Sequence, residues 1–384
     1  MKLVRSFKCL DIIKRQSIAF FVIIGIYTLL YAGMQWSLSN GMGHLYINGR
    51  LTQLMGIRKD KFNNTHNIFL MDSNMDDLNH LVAGGKSSEH TANTEPCPET
   101  PPGLVGRLNI SLPNIHKSVT NEDSLLRVGY GGRYRPSDCV AKERVGIIIP
   151  YRDRKEHLTI LTRHLHNILQ RQQLEYQIFV IEMALPTQFN RGLLVNVGVL
   201  FAKESGNFSC FIIHDVDALM MNDRNLYRCG SQPRHLVTGS TKYRSANKEY
   251  ALPYDKYMSG VIALTDSQYK KANGFSNLYF GWGGEDDDFY IRVTNAKMTF
   301  KRPENDVGIY LAIPHENDLS NPINPSRVDI LNKASARQSR EGINSFYENG
   351  KKIGYKRYAI EYRQYYTWLL IGVNEAAIVK QFEE

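Results

Sequence analysis

The five cysteines form no Cys-x-x-Cys pair, and no Gly-x-Gly-x-x-Gly turn occurs anywhere in the 384 residues. The first absence argues against a structural zinc site, which is usually built from closely spaced thiolates. The second removes the dinucleotide-binding fingerprint. No helix-turn-helix, RRM or zinc-finger spacing accompanies the formal charge of +9, and basic residues are scattered among acidic ones. The charge is therefore read as a basic surface suited to small anionic ligands, and no nucleic-acid partner is expected. No internal repeat is present.

Long apolar runs are absent except for one. From Ile18 to Ser37 no residue carries a formal charge. At about 1.5 Å per residue a helix of this length crosses the ~30 Å hydrocarbon core. Lys2, Arg5, Lys8, Lys14 and Arg15 precede it against a single Asp11, so the positive-inside rule keeps the N-terminus cytosolic. The expected layout is a cytosolic tail (1–17), an uncleaved transmembrane signal-anchor (18–37), a lumenal stem (38–96) and a folded domain (97–384). The stem is polar, without sustained periodicity, and cannot bury enough apolar area to fold alone. Cys9 falls on the cytosolic side. Cys97, Cys139, Cys210 and Cys229 are lumenal, an even number in an oxidising compartment. Asn63, Asn109 and Asn207 begin N-x-S/T sequons, which mark candidate glycosylation sites there.

Within the folded domain, Val145–Pro150 (VGIIIP) is an unbroken apolar run, the pattern of a strand buried on both faces. Residues 155–172 carry Leu158, Leu161, Leu165, Ile168 and Leu169 at helical spacing. A second buried strand follows at 176–181, a second helix at 193–203 and a third strand at 210–214. This alternation predicts an α/β class with a mostly parallel sheet, the nucleotide-binding half of a Rossmann-like fold. Ligands on such sheets bind beyond the strand C-termini, where residues 150–154 (PYRDR) and Asp215-Val216-Asp217 both lie.

Asp215-Val216-Asp217 closes the third strand, so its backbone is held while its carboxylates face the crevice. One carboxylate there can bind a divalent cation that bridges two phosphates. An acidic triplet by itself reads as a solvated strand end; its position after a parallel strand favours the metal. Residues 281–288 (GWGGEDDD) are the more specific feature. The glycines let backbone approach a ligand, and Trp282 offers a flat apolar face for a sugar ring. Four successive acids suit a helix N-terminus, where the dipole favours them. A dipole does not require a tryptophan between glycines.

From Cys97 onward the chain resembles the β1,4-galactosyltransferase family, inverting glycosyltransferases with a cytosolic tail, one membrane span and a stem. The matching blocks are GGRYRPSDC (131–139), IIIPYRDRKEHL (147–158), LQRQQLEY (169–176), FNR (189–191), LVNVG (194–198), DVD (215–217), YRCGSQPRH (227–235), LPYDKY (252–257), NGF (273–275), GWGGEDDD (281–288), RP (302–303) and NP-x-R (324–327). They follow one another with short gaps across nearly the whole domain.

The resemblance implies a GT-A type, Rossmann-like domain that uses Mn2+ and a UDP-sugar at the Golgi membrane, with the catalytic domain lumenal. It assigns Pro150, Tyr151, Arg152, Asp153, Arg154, Phe189, Asn190, Arg191, Val216 and Asp217 to the nucleotide, with Tyr257, Trp282 and Gly284 beside the donor sugar. Asp217 and His315 are the implied metal ligands. Asp286 is the implied general base, with Glu285 and Trp282 completing the catalytic group. Tyr254, Gly284, Glu285, Asp286, Asp287 and Arg327 are implied at the acceptor. The implied disulfides are Cys97 with Cys139 and Cys210 with Cys229. The expected reaction is transfer of galactose from UDP-galactose to O4 of a terminal GlcNAc or related sugar on a glycoprotein or glycolipid.

Two departures bear on these expectations. Vertebrate members nearest the family's founding enzyme place a methionine ligand three residues before the histidine, while other branches lack it, and here that position is Ala312. Donor choice rests on Tyr257, whose bulk disfavours an N-acetyl group, yet the segment 239–250 before it is longer than in vertebrate enzymes and Met258-Ser259 replaces Phe-Gly. Transfer of GalNAc from UDP-GalNAc therefore stands as the alternative. A catalytically silent membrane lectin or chaperone is the reading from another class, and it requires a lost base or ligand. Asp217, His315 and Asp286 are all present.

Overall fold

The computed structural model describes residues 95–115, 127–245, 249–304, 306–315, 321–346 and 353–382. The expected tail, membrane anchor and nearly all of the stem, with Cys9 and Asn63, lie outside the described residues. Among the described residues no helix is long and apolar enough to cross a membrane.

In chain order, β1 (Arg133–Tyr134) precedes β2 (Arg144–Tyr151), helix α1 (Lys155–Arg171), β3 (Glu175–Met183), helix α2 (Arg191–Ser205) and β4 (Cys210–His214). The strand–helix–strand–helix–strand expectation matches this series with small shifts at the ends. Then come β5 (Ala218–Met220), β6 (Arg234–His235), β7 (Gly239–Ser240), β8 (Val261–Thr265), α3 (Asp266–Lys271) and α4 (Glu285–Asn295). The series closes with β9 (Ile309–Ala312), α5 (Arg327–Asn332), α6 (Ala334–Arg337), β10 (Tyr355–Tyr362), β11 (Thr367–Val373) and α7 (Glu375–Phe382).

The main sheet runs β10-β11-β3-β2-β4-β8-β6, with β1 also paired to β3. Strands β11, β3, β2 and β4 are mutually parallel, whereas β10, β8, β6 and β1 run antiparallel to their neighbours. The parallel reading thus describes the centre of the sheet, and antiparallel strands flank it on both sides.

Alternation along the central strands divides the core. Ile147, Ile149, Ile178 and Val180 pack with Leu158, Leu161, Leu165 and Leu169 of α1. Ile148, Phe179 and Ile181 point the other way, onto Leu194, Val197 and Phe201 of α2. Helix α2 is buried from Gly192 to Ala202, as expected for a helix without a polar face. It sits close on the sheet because Gly198 has no side chain: a Cβ there would meet Ile148 Cγ2 at 2.4 Å.

Disulfides join Cys97 to Cys139 and Cys210 to Cys229. The second ties the first residue of β4 to the connection after β5. A smaller sheet, β5-β9-β7, is built directly on the segment that leaves β4. The C-terminal ends of β2 and β4 therefore open into one cleft, walled by β5, β9 and the N-terminus of α4. The sequons at Asn109 and Asn207 are both exposed.

Candidate active site

A cleft of about 630 Å³ lies beyond the strand C-termini. Its lining includes Pro150, Arg152, Arg154, Phe189, Arg191, Val216 and Asp217, together with Tyr254, Tyr257, Trp282, Gly284, Glu285, Asp286, Asp287, His315 and Arg327. Residues from seven separated stretches of sequence thus meet in one place.

Three of the nominated residues are not in that lining. Tyr151 is the last residue of β2 and buries its ring in the core against α1; burial pushes its hydroxyl up to about 12. Asn190 is fully buried as the N-cap of α2, accepting from Leu193 N at 2.9 Å and donating to the Asn277 carbonyl at 2.8 Å. Asp153 occupies a left-handed turn (φ 44°) between β2 and α1. Each shapes the backbone on which its lining neighbours stand. Arg152 is held by the Met183 and Thr187 carbonyls at 3.3 and 2.7 Å, and its guanidinium lies 5.6 Å from the centroid of the Phe189 ring.

The two aspartates after β4 have different surroundings. Asp215 accepts from Arg191 Nε at 2.8 Å, from Ser259 Oγ at 3.0 Å and from Gly260 N at 2.8 Å. Asp217 instead faces His315 Nε2 at 3.5 Å, and both side chains are about a third exposed, at 31% and 33%. Burial alone would raise the Asp217 pKa, but its contact with His315 holds it below the ordinary carboxylate value. An ionised carboxylate beside an imidazole is a hard-plus-intermediate donor pair of the kind that accepts Mn2+. Ala312 ends β9 opposite Ala218 and also lines the cleft, contributing only a methyl group. Lys242 and Tyr243 line it too; the sequence motifs did not point to them because they stand outside the matched blocks, between YRCGSQPRH and LPYDKY.

The acidic block forms the first turn of α4, with Gly284 as N-cap at φ 95°. A Cβ on Gly284 would stand 2.8 Å from the Tyr279 ring, so only glycine fits. Glu285, Asp286 and Asp287 reach the cleft, while Asp288, one turn along, points into the core. There it accepts from Tyr279 at 3.0 Å, Arg292 at 2.5 Å and Arg337 at 2.8 Å, and both arginines also bind Glu341. This balanced buried quartet fixes α4 against α6. Burial and the neighbouring Asp286 push Glu285 up to about 7, against the pull of Arg191. Burial and Asp287 raise Asp286 as well. Tyr254 donates to Asp287 at 2.9 Å.

Trp282 is 60% exposed at the rim. Its backbone pairs with the following segment, N to the Pro322 carbonyl at 2.8 Å and carbonyl to Asn324 N at 3.1 Å. Gly281, at φ 94°, permits that pairing: a Cβ would lie 2.6 Å from the Pro322 carbonyl oxygen. Arg327 follows at the start of α5, its Nη1 on the Asn324 carbonyl at 3.2 Å.

Residues 97–230 match the N-terminal region of glycosyl transferase group 7, and residues 240–316 match a family described as the N-terminal domain of galactosyltransferase. The chain is 38% identical over 357 residues to rat β1,4-galactosyltransferase 4, covering 92% of this chain and 95% of that protein. It is 44% identical over 273 residues to β1,4-galactosyltransferase 3 of Cricetulus griseus, covering 70% and 67% respectively. Among solved structures, the catalytic domain of Drosophila β1,4-galactosyltransferase 7 in complex with xylobiose superposes with a TM-score of 0.50 at 26% identity, over 63% of this chain and 98% of that one. A mutant of the Drosophila protein in complex with manganese, UDP-Gal and xylobiose aligns equally well, with a TM-score of 0.50 at 25% identity, covering 63% and 98%. The shared architecture is a mixed α/β, GT-A-like fold.

Proposed function

The chain belongs to the β1,4-galactosyltransferase family, and on that premise we propose that it transfers galactose from UDP-galactose, with inversion, to O4 of a terminal GlcNAc or related sugar on a glycoprotein or glycolipid. The observation that carries this reading is the convergence of an Asp217–His315 pair and the half-buried acids Glu285 and Asp286 on one cleft. Either feature alone has ordinary explanations; a candidate cation site and a candidate base lining the same cleft do not.

In this reading Arg154, Phe189 and Arg191 bind the nucleotide, since guanidinium groups present several donors to phosphate oxygens. Asp217 and His315 would hold Mn2+, which when bound neutralises charge on the diphosphate as UDP departs. Asp286 takes the proton from the acceptor hydroxyl as its oxygen attacks the anomeric carbon from the face opposite UDP. The α-linked donor becomes a β-linked product in one displacement. Glu285, Asp287, Tyr254 and Arg327 position the acceptor, and Trp282 covers the donor sugar and limits hydrolysis by water. Tyr257 stands over the donor sugar and disfavours UDP-GalNAc. Its ring is wedged among three others, His235, Tyr243 and Tyr254, at centroid distances of 6.2, 6.1 and 5.6 Å, and this crowding supports a fixed gate. Residues 18–37 anchor the chain in the Golgi membrane with the catalytic domain lumenal.

The test is a matrix of UDP-galactose, UDP-GalNAc and UDP-GlcNAc against GlcNAc, glucose and xylose acceptors, with EDTA and Mn2+ add-back. Strongest Mn2+-dependent UDP release with UDP-galactose is expected. Preference for UDP-GalNAc overturns the donor assignment, and no release with any pair overturns the enzyme reading in favour of a silent binding protein.

A further inference from the structure

Two of the matched motifs, PRH at 233–235 and RP at 302–303, contribute neither a nominated ligand nor a base, yet they meet behind the loop that carries Tyr257. Arg302 Nη2 donates to two carbonyls of that loop, Asp255 O at 2.8 Å and Tyr257 O at 3.0 Å. The same guanidinium donates from Nε to His235 Nδ1 at 3.0 Å. An arginine is always the donor, so His235 accepts at Nδ1 and carries its proton on Nε2, which donates to Ser259 O at 2.9 Å. His235 is fully buried, held in β6 against β8, and its ring packs edge-on to Tyr257 at 6.2 Å. On the cleft side the loop is held by Asp215, which accepts from Ser259 Oγ and Gly260 N.

Residues 255–260 are therefore gripped from both sides. Their front is tied to the aspartate next to the nominated metal ligand, and their back to a two-residue bracket. The bracket addresses carbonyls rather than side chains, so it fixes the path of the backbone at Tyr257 whatever residues lie between. This matters because Tyr257 lines the cleft from a connection between β7 and β8, outside any strand or helix that would by itself hold it in a defined place.

We propose that Arg302 and His235 are positioning residues for donor selection: they hold the Tyr257 backbone at the depth where its ring excludes a 2-acetamido group. The inference rests on the reading of Tyr257 as the donor gate. Burial keeps the His235 imidazole neutral, well below its ordinary titration range, so the acceptor face offered to Arg302 persists through the neutral and mildly acidic range.

The experiment compares kcat/KM for UDP-galactose and UDP-GalNAc in the full chain and its Arg302→Ala, Arg302→Lys, Tyr257→Leu and Arg302→Ala/Tyr257→Leu variants, with UDP affinity and Tm recorded for each. Discrimination by one small group is worth about 10- to 200-fold. Arg302→Ala is expected to raise the GalNAc-to-galactose ratio about 3- to 10-fold, part of that span, with UDP affinity unchanged. Arg302→Lys should recover part of the shift, because an ammonium can still donate to one carbonyl. The double variant should match Tyr257→Leu alone, since the bracket has no gate left to position. If Tyr257→Leu moves the ratio and Arg302→Ala does not, the bracket inference is overturned while the gate survives. An equal fall for both donors in Arg302→Ala, with a lowered Tm, makes the bracket a stabilising feature only. No shift in Tyr257→Leu overturns the gate reading and the bracket with it. Should Arg302→Ala not fold, Arg302→Gln is read against the same outcomes.

Discussion

Arg191 grips Asp215 through both Nε and Nη2, at 2.8 and 2.7 Å, so only one of the two aspartates that close β4 is free to take a metal. The pair is largely buried, at 10% and 21% exposure, and Ser259 and Gly260 occupy the other Asp215 oxygen. Two residues away, Asp217 has only the imidazole of His315 beside it among these contacts.

The two positions should therefore respond differently to the same change. Asp217→Asn is expected to abolish Mn2+ activation with little change in Tm. Asp215→Asn leaves a buried guanidinium short of its counter-charge, a loss of about 3–5 kcal/mol for a fully buried pair and less here because the aspartate is partly solvated. Thermal denaturation beside a Mn2+ titration of activity checks both, and equal Tm losses would contradict the division of labour.

A second pair of acids separates chemistry from stability on α4. Asp286→Asn should cut transfer by about 10²- to 10⁴-fold with UDP binding retained. Asp288→Asn should instead lower stability by about 3–5 kcal/mol, because it leaves the buried Arg292 and Arg337 with Glu341 as their one remaining counter-charge in this quartet. Single-turnover rates and urea denaturation of the two variants distinguish them. Near-normal turnover in Asp286→Asn would remove the base assignment.

Rate and stability should move in opposite directions with pH. A base must be ionised, so transfer is expected to rise with pH through the raised range of Glu285 and Asp286, with Glu285 near 7. The folded pKa of Glu285 lies above its ordinary 4.5, so the stability linked to that proton is fully present below about 4.5 and is lost as pH rises through about 7. Asp287→Asn removes a charge that raises Asp286 and should shift the acidic limb of the rate profile to lower pH. A limb that stays in place would argue that another group sets it.

Ala312→Met introduces a thioether at a cleft-lining position at the end of β9, close in sequence to His315. Half-maximal activation is expected at a lower Mn2+ concentration. An unchanged activation curve would show that the cation is already fully coordinated without that side chain.

Cys210→Ser opens the bond at the start of β4. Removal of a native disulfide costs about 2–5 kcal/mol, so the variant should express poorly and melt lower, and peptide mapping of the parent should recover the Cys97–Cys139 and Cys210–Cys229 pairs. A peptide joining Cys97 to Cys229 would contradict the connectivity.

The parallel centre of the sheet was legible because local pattern decides it. Val145–Pro150 and Cys210–His214 are apolar on both faces, and α1 carries its leucines at a helical period, so strand and helix follow without long-range information. The rest depends on partners distant in sequence. Residues 355–362 are half-buried at most positions, without the alternation that marks a strand, and they earn that state only by pairing with β11. The site divides in the same way. The motifs Asp215-Val216-Asp217 and residues 281–288 were visible, but which acid does what was not. Asp288 meets Arg292 by ordinary i,i+4 helical spacing, but Asp215 and Asp288 are also diverted by Arg191 and Arg337, distant in sequence, whose proximity no spacing rule encodes.

Strand β11 has a consequence for how the protein is made. It lies between β10 and β3 and pairs in parallel with Phe179–Met183; Thr367 bonds to Gln177 across 190 residues of sequence. The emerging chain can form β1, β2, β3 and β4 early in synthesis, but the outer edge of β3 from Phe179 to Met183 must wait for residues translated much later. Until then an apolar strand edge stands open to other chains. A stop codon just before Thr367 would spare every nominated cleft residue and still leave that edge uncovered, so such a product should be retained and degraded before it reaches the compartment where it would act.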